Sequence, residues 1–568
     1  MWLARFTTIG NGAHVSAAAR SPVPGSPQVL KWSARRRSTI TETAQTFPLR
    51  HGRVLQPFTE IPSPKGLPVI GTTLSLIAAG GYPKLHEYVD ARHKVLGGVY
   101  KEAIGPTDAV FVADAHEIQK VFRHEGRAPK HLLPEPWVLY NELFGCKRGL
   151  FFMDGDEWLH FRRIMNKLLL KNTSSSMDFL RDPCNAISNN LLQRWQKIRV
   201  NGEIINIEAE LYRWSINTVV ATLLGGHLYA SLTNGTKTAT GDALEATISE
   251  LASVVHLVFQ ESARLTLIPA RLARFLRLSA WNQFVNAVDS ALSTASSLVT
   301  EMIPLCQKVG HHEIDEKDGL LARMLSEGLE TKDVIRIVTD LVLAAGDTTA
   351  YSTQWALYLL AKHPEVQDKV VREIKESGLD QTVNDYGSES LIQQLPILKG
   401  VIREALRLFP VAPFLTRILP VDCPMGGYNV PAGNLILISV YSSGRDPQYF
   451  PDPEKFWPER WLRADAKEQP HNNGLEGDDV SKACPMSQGK GPVQKPYLGV
   501  SSPYASLPFG LGVRSCIGKK IAEMQMSMTI SKLVNHFHMD LLNKDDVKMI
   551  LRLVSVPEVP VRIRFRER

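Results

Sequence analysis

The segment Phe509-Gly510-Leu511-Gly512-Val513-Arg514-Ser515-Cys516-Ile517-Gly518 is the part of this chain best suited to chemistry. Glycines lie on both sides of Cys516, Arg514 precedes it by two positions, and a helix-like segment follows from Lys519. Glycine adopts backbone angles closed to other residues and lets the main chain approach a flat group closely. Peptide N–H groups aimed at the sulfur, together with the start of a helix, favour the thiolate over the thiol. The pattern predicts a loop that holds one cysteine thiolate against an iron atom. Such a ligand pushes electron density onto haem iron and favours O–O cleavage. Cys516 is therefore the candidate metal ligand, and Arg514 is placed to neutralise a haem propionate. Without its neighbours, the same cysteine would read as a buried free thiol.

A second group lies in a largely apolar segment, residues 335–360, which predicts a long helix. Its middle reads Ala344-Ala345-Gly346-Asp347-Thr348-Thr349. Small residues there would let a flat cofactor lie against the helix. The Thr348 hydroxyl can return to a carbonyl one turn back, which loosens the local ladder. Asp347 and Thr348 then form a candidate proton-delivery pair. Trp158 and Arg162 are four apart, so both could reach a propionate from one helix face. Glu404 and Arg407 are three apart, and Arg460 follows in Pro458-Glu459-Arg460-Trp461. These three could form a buried ionic triad whose role is to fix a conformation. Taken singly, the tryptophan–arginine and glutamate–arginine spacings are ordinary helix-surface patterns.

The elements that must position these residues are mostly helical. From about residue 114 to 410 helical periodicity dominates, preceded by a strand-like run at 108–113. Strand-like pieces return at Tyr428–Val430 and Leu435–Ser439, and again around 551–563 with a break at Pro557. The expectation is a mainly α fold with small β-sheets and one large core, spanning residues 46–568. Residues 464–502 are polar, glycine-rich and punctuated by proline, and are expected to be a flexible insertion.

Composition narrows the function. The chain has 568 residues, and its six cysteines are scattered with no CxxC pair, which excludes a zinc ribbon and argues against a disulfide framework. The formal charge is +7, but residues 1–41 hold six basic side chains and no acid. The rest of the chain is nearly balanced, so the basic excess is no nucleic-acid footprint. Residues 1–45 are rich in Arg, Ser, Ala and Thr, the composition of a mitochondrial transit peptide.

Together and in this order, the motifs resemble the cytochrome P-450 superfamily of haem-thiolate monooxygenases. The resemblance implies haem b held by Cys516, with Phe509 in the cysteine loop and propionate contacts from Trp158, Arg162, Arg514 and Arg417. It implies oxygen activation assisted by Thr348 and Asp347. Ala345 stands where the family often has glycine, and as a small residue it keeps the space open. The leader, with Lys399 and Arg403 four apart on the predicted Glu404 helix, matches the mitochondrial class. Such members dock an acidic, adrenodoxin-like ferredoxin on that basic pair, reduced by an NADPH-dependent reductase. Lys65-Gly66-Leu67-Pro68-Val69-Ile70-Gly71 and residues 148–153, 157–160, 344–349 and 354–357 further resemble the arthropod mitochondrial ecdysteroid 2-hydroxylases. That implies hydroxylation at C2 of a 2-deoxyecdysteroid, such as 2-deoxyecdysone to ecdysone, in moulting-hormone synthesis. It also implies a location on the matrix side of the inner membrane. Residues 265–278, apolar with interleaved arginines, are expected to touch that membrane peripherally. Another mitochondrial steroid or xenobiotic hydroxylase, and a haem-binding sensor or carrier, are the alternatives.

Overall fold

Residues 331–362 are apolar on almost every face, and a helix of that kind is stable only when covered on all sides. In the computed structural model it forms one uninterrupted helix, Thr331–Lys362, buried nearly continuously from Gly346 to Ala361. The helices Ile207–Leu224, Ser279–Val309 and Pro396–Leu408 pack against it. The structure describes residues 55–568 apart from 106, 171–174, 234–238, 310–317, 379–394 and 464–495. The predicted leader and most of the predicted insertion lie outside these residues. The described residues fall within one compact unit, Thr46–Arg568.

The strands are short and peripheral. In chain order they are β1 (Val99–Ile104), β2 (Thr107–Val112), β3 (Phe414–Ile418), β4 (Cys423–Met425), β5 (Tyr428–Val430) and β6 (Leu435–Ser439). They are followed by β7 (Phe537–Leu541), β8 (Met549–Arg552), β9 (Val554–Pro557) and β10 (Ile563–Glu567). The larger sheet has the order β1-β2-β6-β3, with β2 and β6 parallel and the other pairs antiparallel. Three two-stranded ribbons, β4–β5, β7–β10 and β8–β9, complete the described β structure. The expected fold class, mainly α with small sheets, is what the chain adopts.

The helix Pro396–Leu408 carries the ionic triad. Leu398, Val401, Ile402, Ala405 and Leu408 recur at helical spacing and fill its buried face. Gly400 is required by packing: a Cβ there would lie 2.3 Å from the Pro458 carbonyl oxygen. That close approach brings the short helix Pro458–Trp461 alongside, and with it Arg460. Glu404 receives Arg407 Nε at 2.9 Å, Arg407 Nη2 at 2.7 Å and Arg460 Nε at 2.8 Å. The Trp461 indole N–H and the Trp457 amide also donate to it. The remaining guanidinium donors reach carbonyls of Gly444, Pro453 and Pro451. All three charges are fully buried and fully bonded, the condition under which such a network is tolerated.

One boundary differs from the sequence expectation. Residues 496–502, counted above in the insertion, are anchored to the body. Leu498 and Gly499 donate to the carbonyls of Leu462 and Arg460, and Ser501 donates to that of Tyr449. They form a backbone-paired segment beside the triad, with the Gly499 carbonyl accepting from Arg460.

Glu404→Gln tests the triad's role. The substitution leaves two buried guanidinium groups short of one counter-charge, a loss of about 3–5 kcal/mol. A large drop in the denaturant midpoint is expected, and an unchanged midpoint would show that the network is dispensable.

Candidate functional site

The cysteine loop is shaped by two glycines with left-handed backbone, Gly510 at φ 68° and Gly512 at φ 75°. The Cys516 amide donates to the Phe509 carbonyl at 2.8 Å, closing the loop on itself. Gly512 leaves room for a carboxylate: a Cβ there would collide with Glu125 Oε1. Glu125 accepts the Val513 amide at 3.1 Å and the Arg417 Nε at 2.6 Å. Burial pushes the Glu125 carboxyl upward, and Arg417, as the nearest charge, opposes that shift.

Four of the predicted residues converge around this loop. Arg162 donates to the Ser515 carbonyl at 2.7 Å. Arg514 donates to the Met153 carbonyl at 2.7 Å and to Asp154 at 2.9 Å, and its guanidinium lies 4.3 Å over the Trp158 ring. Trp158 and Arg162 come from one buried face of the helix Gly155–Leu169. Burial holds the Arg162 and Arg514 guanidinium groups down to about 10. Arg417 joins the group from β3 through Glu125. Phe509 packs at the edge of the main core, 5.7 Å from Lys519 Nζ.

Cys516 itself departs from the simplest expectation. Burial pushes its thiol upward, while the Gly518 N–H and the Arg162 charge oppose the shift only in part. The Gly518 N–H favours the thiolate, but burial outweighs it, and metal coordination deprotonates a thiol of this kind. The side chain is nonetheless accessible, as is Ala344 in the midst of the otherwise buried long helix.

On the long helix, the Thr348 hydroxyl donates to the Ala344 carbonyl at 2.8 Å, the back-bond expected from sequence, and the helix continues without a break. Asp347 is buried, and its Oδ1 has no hydrogen-bond partner. Burial raises its carboxyl to about 8. A carboxyl of that kind holds its proton near neutral pH and can donate it.

Several contributors escaped the sequence reading. Glu125 was one. His131 is another: both ring nitrogens are buried and unpartnered, and burial with the charges of Arg514 and Arg417 lowers it to about 4. Asp340 ties the segment at Arg148 to the long helix, accepting Arg148 Nε at 2.8 Å and the Gly149 amide at 2.6 Å. Of the three, only Asp340 carried a sequence signal, a lone charge amid the apolar residues of the long helix.

The donor set fits a haem. A thiol stands at the loop, Arg162 Nε and both His131 nitrogens are buried without protein partners, and three guanidinium groups gather nearby. The excess positive charge matches a flat group bearing two carboxylates.

The cytochrome P450 family pattern matches residues 61–565. This chain belongs to the cytochrome P450 family. It is 36% identical to cytochrome P450 315a1, mitochondrial, of Drosophila melanogaster over 527 residues, 90% of this chain and 89% of that protein. The mitochondrial cholesterol side-chain cleavage enzyme of Equus caballus is 26% identical over 514 residues, 90% and 89% of the two chains. Among solved structures, retinoic acid bound cyanobacterial CYP120A1 superposes with a TM-score of 0.64 at 19% identity, covering 89% of this chain and 99% of that one. The chain is thus a haem-thiolate monooxygenase of the mitochondrial class, a ferredoxin-dependent oxidoreductase. Members use haem with a cysteine thiolate as axial ligand.

The buried Asp347 carboxyl carries a pH signature. Its folded value lies above its ordinary value of 3.8. Its favourable contribution is complete below that value and is lost as pH rises through about 8. Asp347→Asn should therefore gain thermal stability relative to the parent as pH goes from 5 to 9. A difference independent of pH would contradict the raised carboxyl.

Proposed function

We propose that this P450 hydroxylates C2 of a 2-deoxyecdysteroid, converting 2-deoxyecdysone to ecdysone. The observation that carries the reading is the 36% identity to the Drosophila mitochondrial protein over nearly the whole of both chains. The segments at 65–71, 148–160 and 344–357, which resemble the arthropod ecdysteroid 2-hydroxylases, support it.

When bound, haem supplies dioxygen binding and O–O cleavage. The protein's own residues do the rest. Cys516 would hold the haem through its sulfur, whose position its loop fixes. Arg162, Arg514, Trp158 and Arg417 would hold its carboxylates, with His131 nearby. Asp347 donates a proton and Thr348 positions it. The turn at 411–415 is tied to β9 by the Ser555 amide on the Val411 carbonyl at 2.9 Å, and the two form one wall for the substrate. The helix Glu135–Phe144 supplies a facing wall, fixed by Trp137 Nε1 on Ser262 at 2.9 Å.

Electrons enter at Lys399 and Arg403, where an acidic ferredoxin docks. These two cations and Lys519 all act on Glu523, which lies on the helix directly after the cysteine loop. The proposed docking face thus lies near the first turns of the helix that follows the cysteine loop. Among the described residues no helix is long and apolar enough to cross a membrane. Exposed Leu272, Phe275 and Leu276, at and beyond the helix Ala270–Phe275, support peripheral attachment to the inner membrane.

A second reading has its own support: mitochondrial relatives include enzymes named for vitamin D and cholesterol chemistry, so another sterol is the alternative substrate. Incubation with 2-deoxyecdysone, a mitochondrial ferredoxin, its reductase and NADPH separates the two. Ecdysone is the expected product. No product from 2-deoxyecdysone, with turnover of cholesterol or 25-hydroxyvitamin D, would replace the first reading by the second.

A further inference from the structure

The long helix and the helix Ile207–Leu224 run against each other, with Ser215 Oγ on the Ala345 carbonyl at 2.8 Å. One turn away, two buried tyrosines lie between the buried Asp347 and a half-buried carboxylate near the start of the second helix. Tyr351 Oη donates to Glu208 Oε1 at 2.8 Å. The Tyr212 and Tyr351 rings meet edge to face at 5.5 Å. The Tyr212 hydroxyl is within interaction range of both Tyr351 and Asp347, yet neither it nor Asp347 Oδ1 makes a close hydrogen bond. Two orphaned polar atoms deep in a core are costly, and a function is the usual reason they persist.

We propose that Glu208, Tyr351 and Tyr212 form the route by which protons from solvent reach Asp347. The inference rests on the reading of Asp347 as the site's proton donor. It adds an inlet and names the residues that compose it. Glu208, protonated by bulk water, gives its proton to Tyr351 Oη. Tyr351 releases its own hydroxyl proton to Tyr212 Oη. Tyr212 releases its proton to the Asp347 carboxylate. Each phenol accepts one proton and loses one, so neither becomes charged, and rotation of the hydroxyls restores the starting arrangement. Avoiding a tyrosinate matters, because burial raises both phenols well above their ordinary range. The network is supported from a third element by His256, whose ring is 6.0 Å from that of Tyr212. His256 offers the competing inlet.

The test is hydrogen–deuterium exchange of the Asp347 carboxyl, read by infrared spectroscopy on the haem-loaded, carbon monoxide-bound protein. Asp347→Asn identifies the band. Tyr351→Phe and Tyr212→Phe should slow its exchange by at least about tenfold, a modest share of what a positioned proton-transfer group contributes. Both should also raise peroxide released per NADPH and enlarge the solvent isotope effect. Glu208→Gln keeps an acceptor for Tyr351 at a half-buried position and should slow exchange without disturbing the fold. Unchanged exchange in Glu208→Gln and Tyr351→Phe, or slowing only in His256→Ala, overturns the route. If Asp347→Asn itself neither removes a band nor alters peroxide release, the reading of Asp347 fails first.

Discussion

Arg162 reaches from one helix into the cysteine loop and bonds the Ser515 carbonyl, next to Cys516. Glu125 grips the same loop from another direction through the Val513 amide. Arg514, from within the loop, bonds outward to the Met153 carbonyl. A ten-residue loop rich in glycine is held at three points by charged side chains, each a stronger hydrogen bond than a neutral one. Everything else in the site depends on that fixation.

The same contacts set the electrostatics. Three guanidinium groups stand near two acids, the buried Glu125 and the exposed Asp154, so positive charge is in excess there. Burial lowers Arg162 and Arg514 and raises Cys516, each in the direction of neutrality. A group bearing two carboxylates would complement these guanidinium groups. The ionic triad follows the opposite rule. Glu404 has five donors and no unmet demand, so it serves as a rigid base rather than as a reactive group. Gly400 makes that base possible by letting Pro458 approach its helix.

Much of this was legible in the residues. The cysteine loop, the long apolar helix and its threonine back-bond are local patterns, and local patterns survive folding. Glu404 and Arg407 are three apart and read as neighbours for the same reason. What stayed hidden was long-range. Arg417 and Glu125 are 292 positions apart, and Tyr351 and Glu208 are 143 apart, so no spacing rule links them. His131 looked like one more loop residue until its unpartnered nitrogens appeared beside Arg514. The segment 496–502 pairs its backbone with Leu462, Arg460 and Tyr449, far earlier in the chain, so no local pattern separated it from the insertion before it.

The central claim is that Cys516, and no other cysteine, supplies the axial thiolate. The most direct measurement is the absorption spectrum of the reduced, carbon monoxide-bound protein in the parent, in Cys516→Ala and in Cys146→Ala. The parent and Cys146→Ala should show the strongly red-shifted band that thiolate ligation produces, and Cys516→Ala should lack it. A red-shifted band that survives in Cys516→Ala would contradict the account.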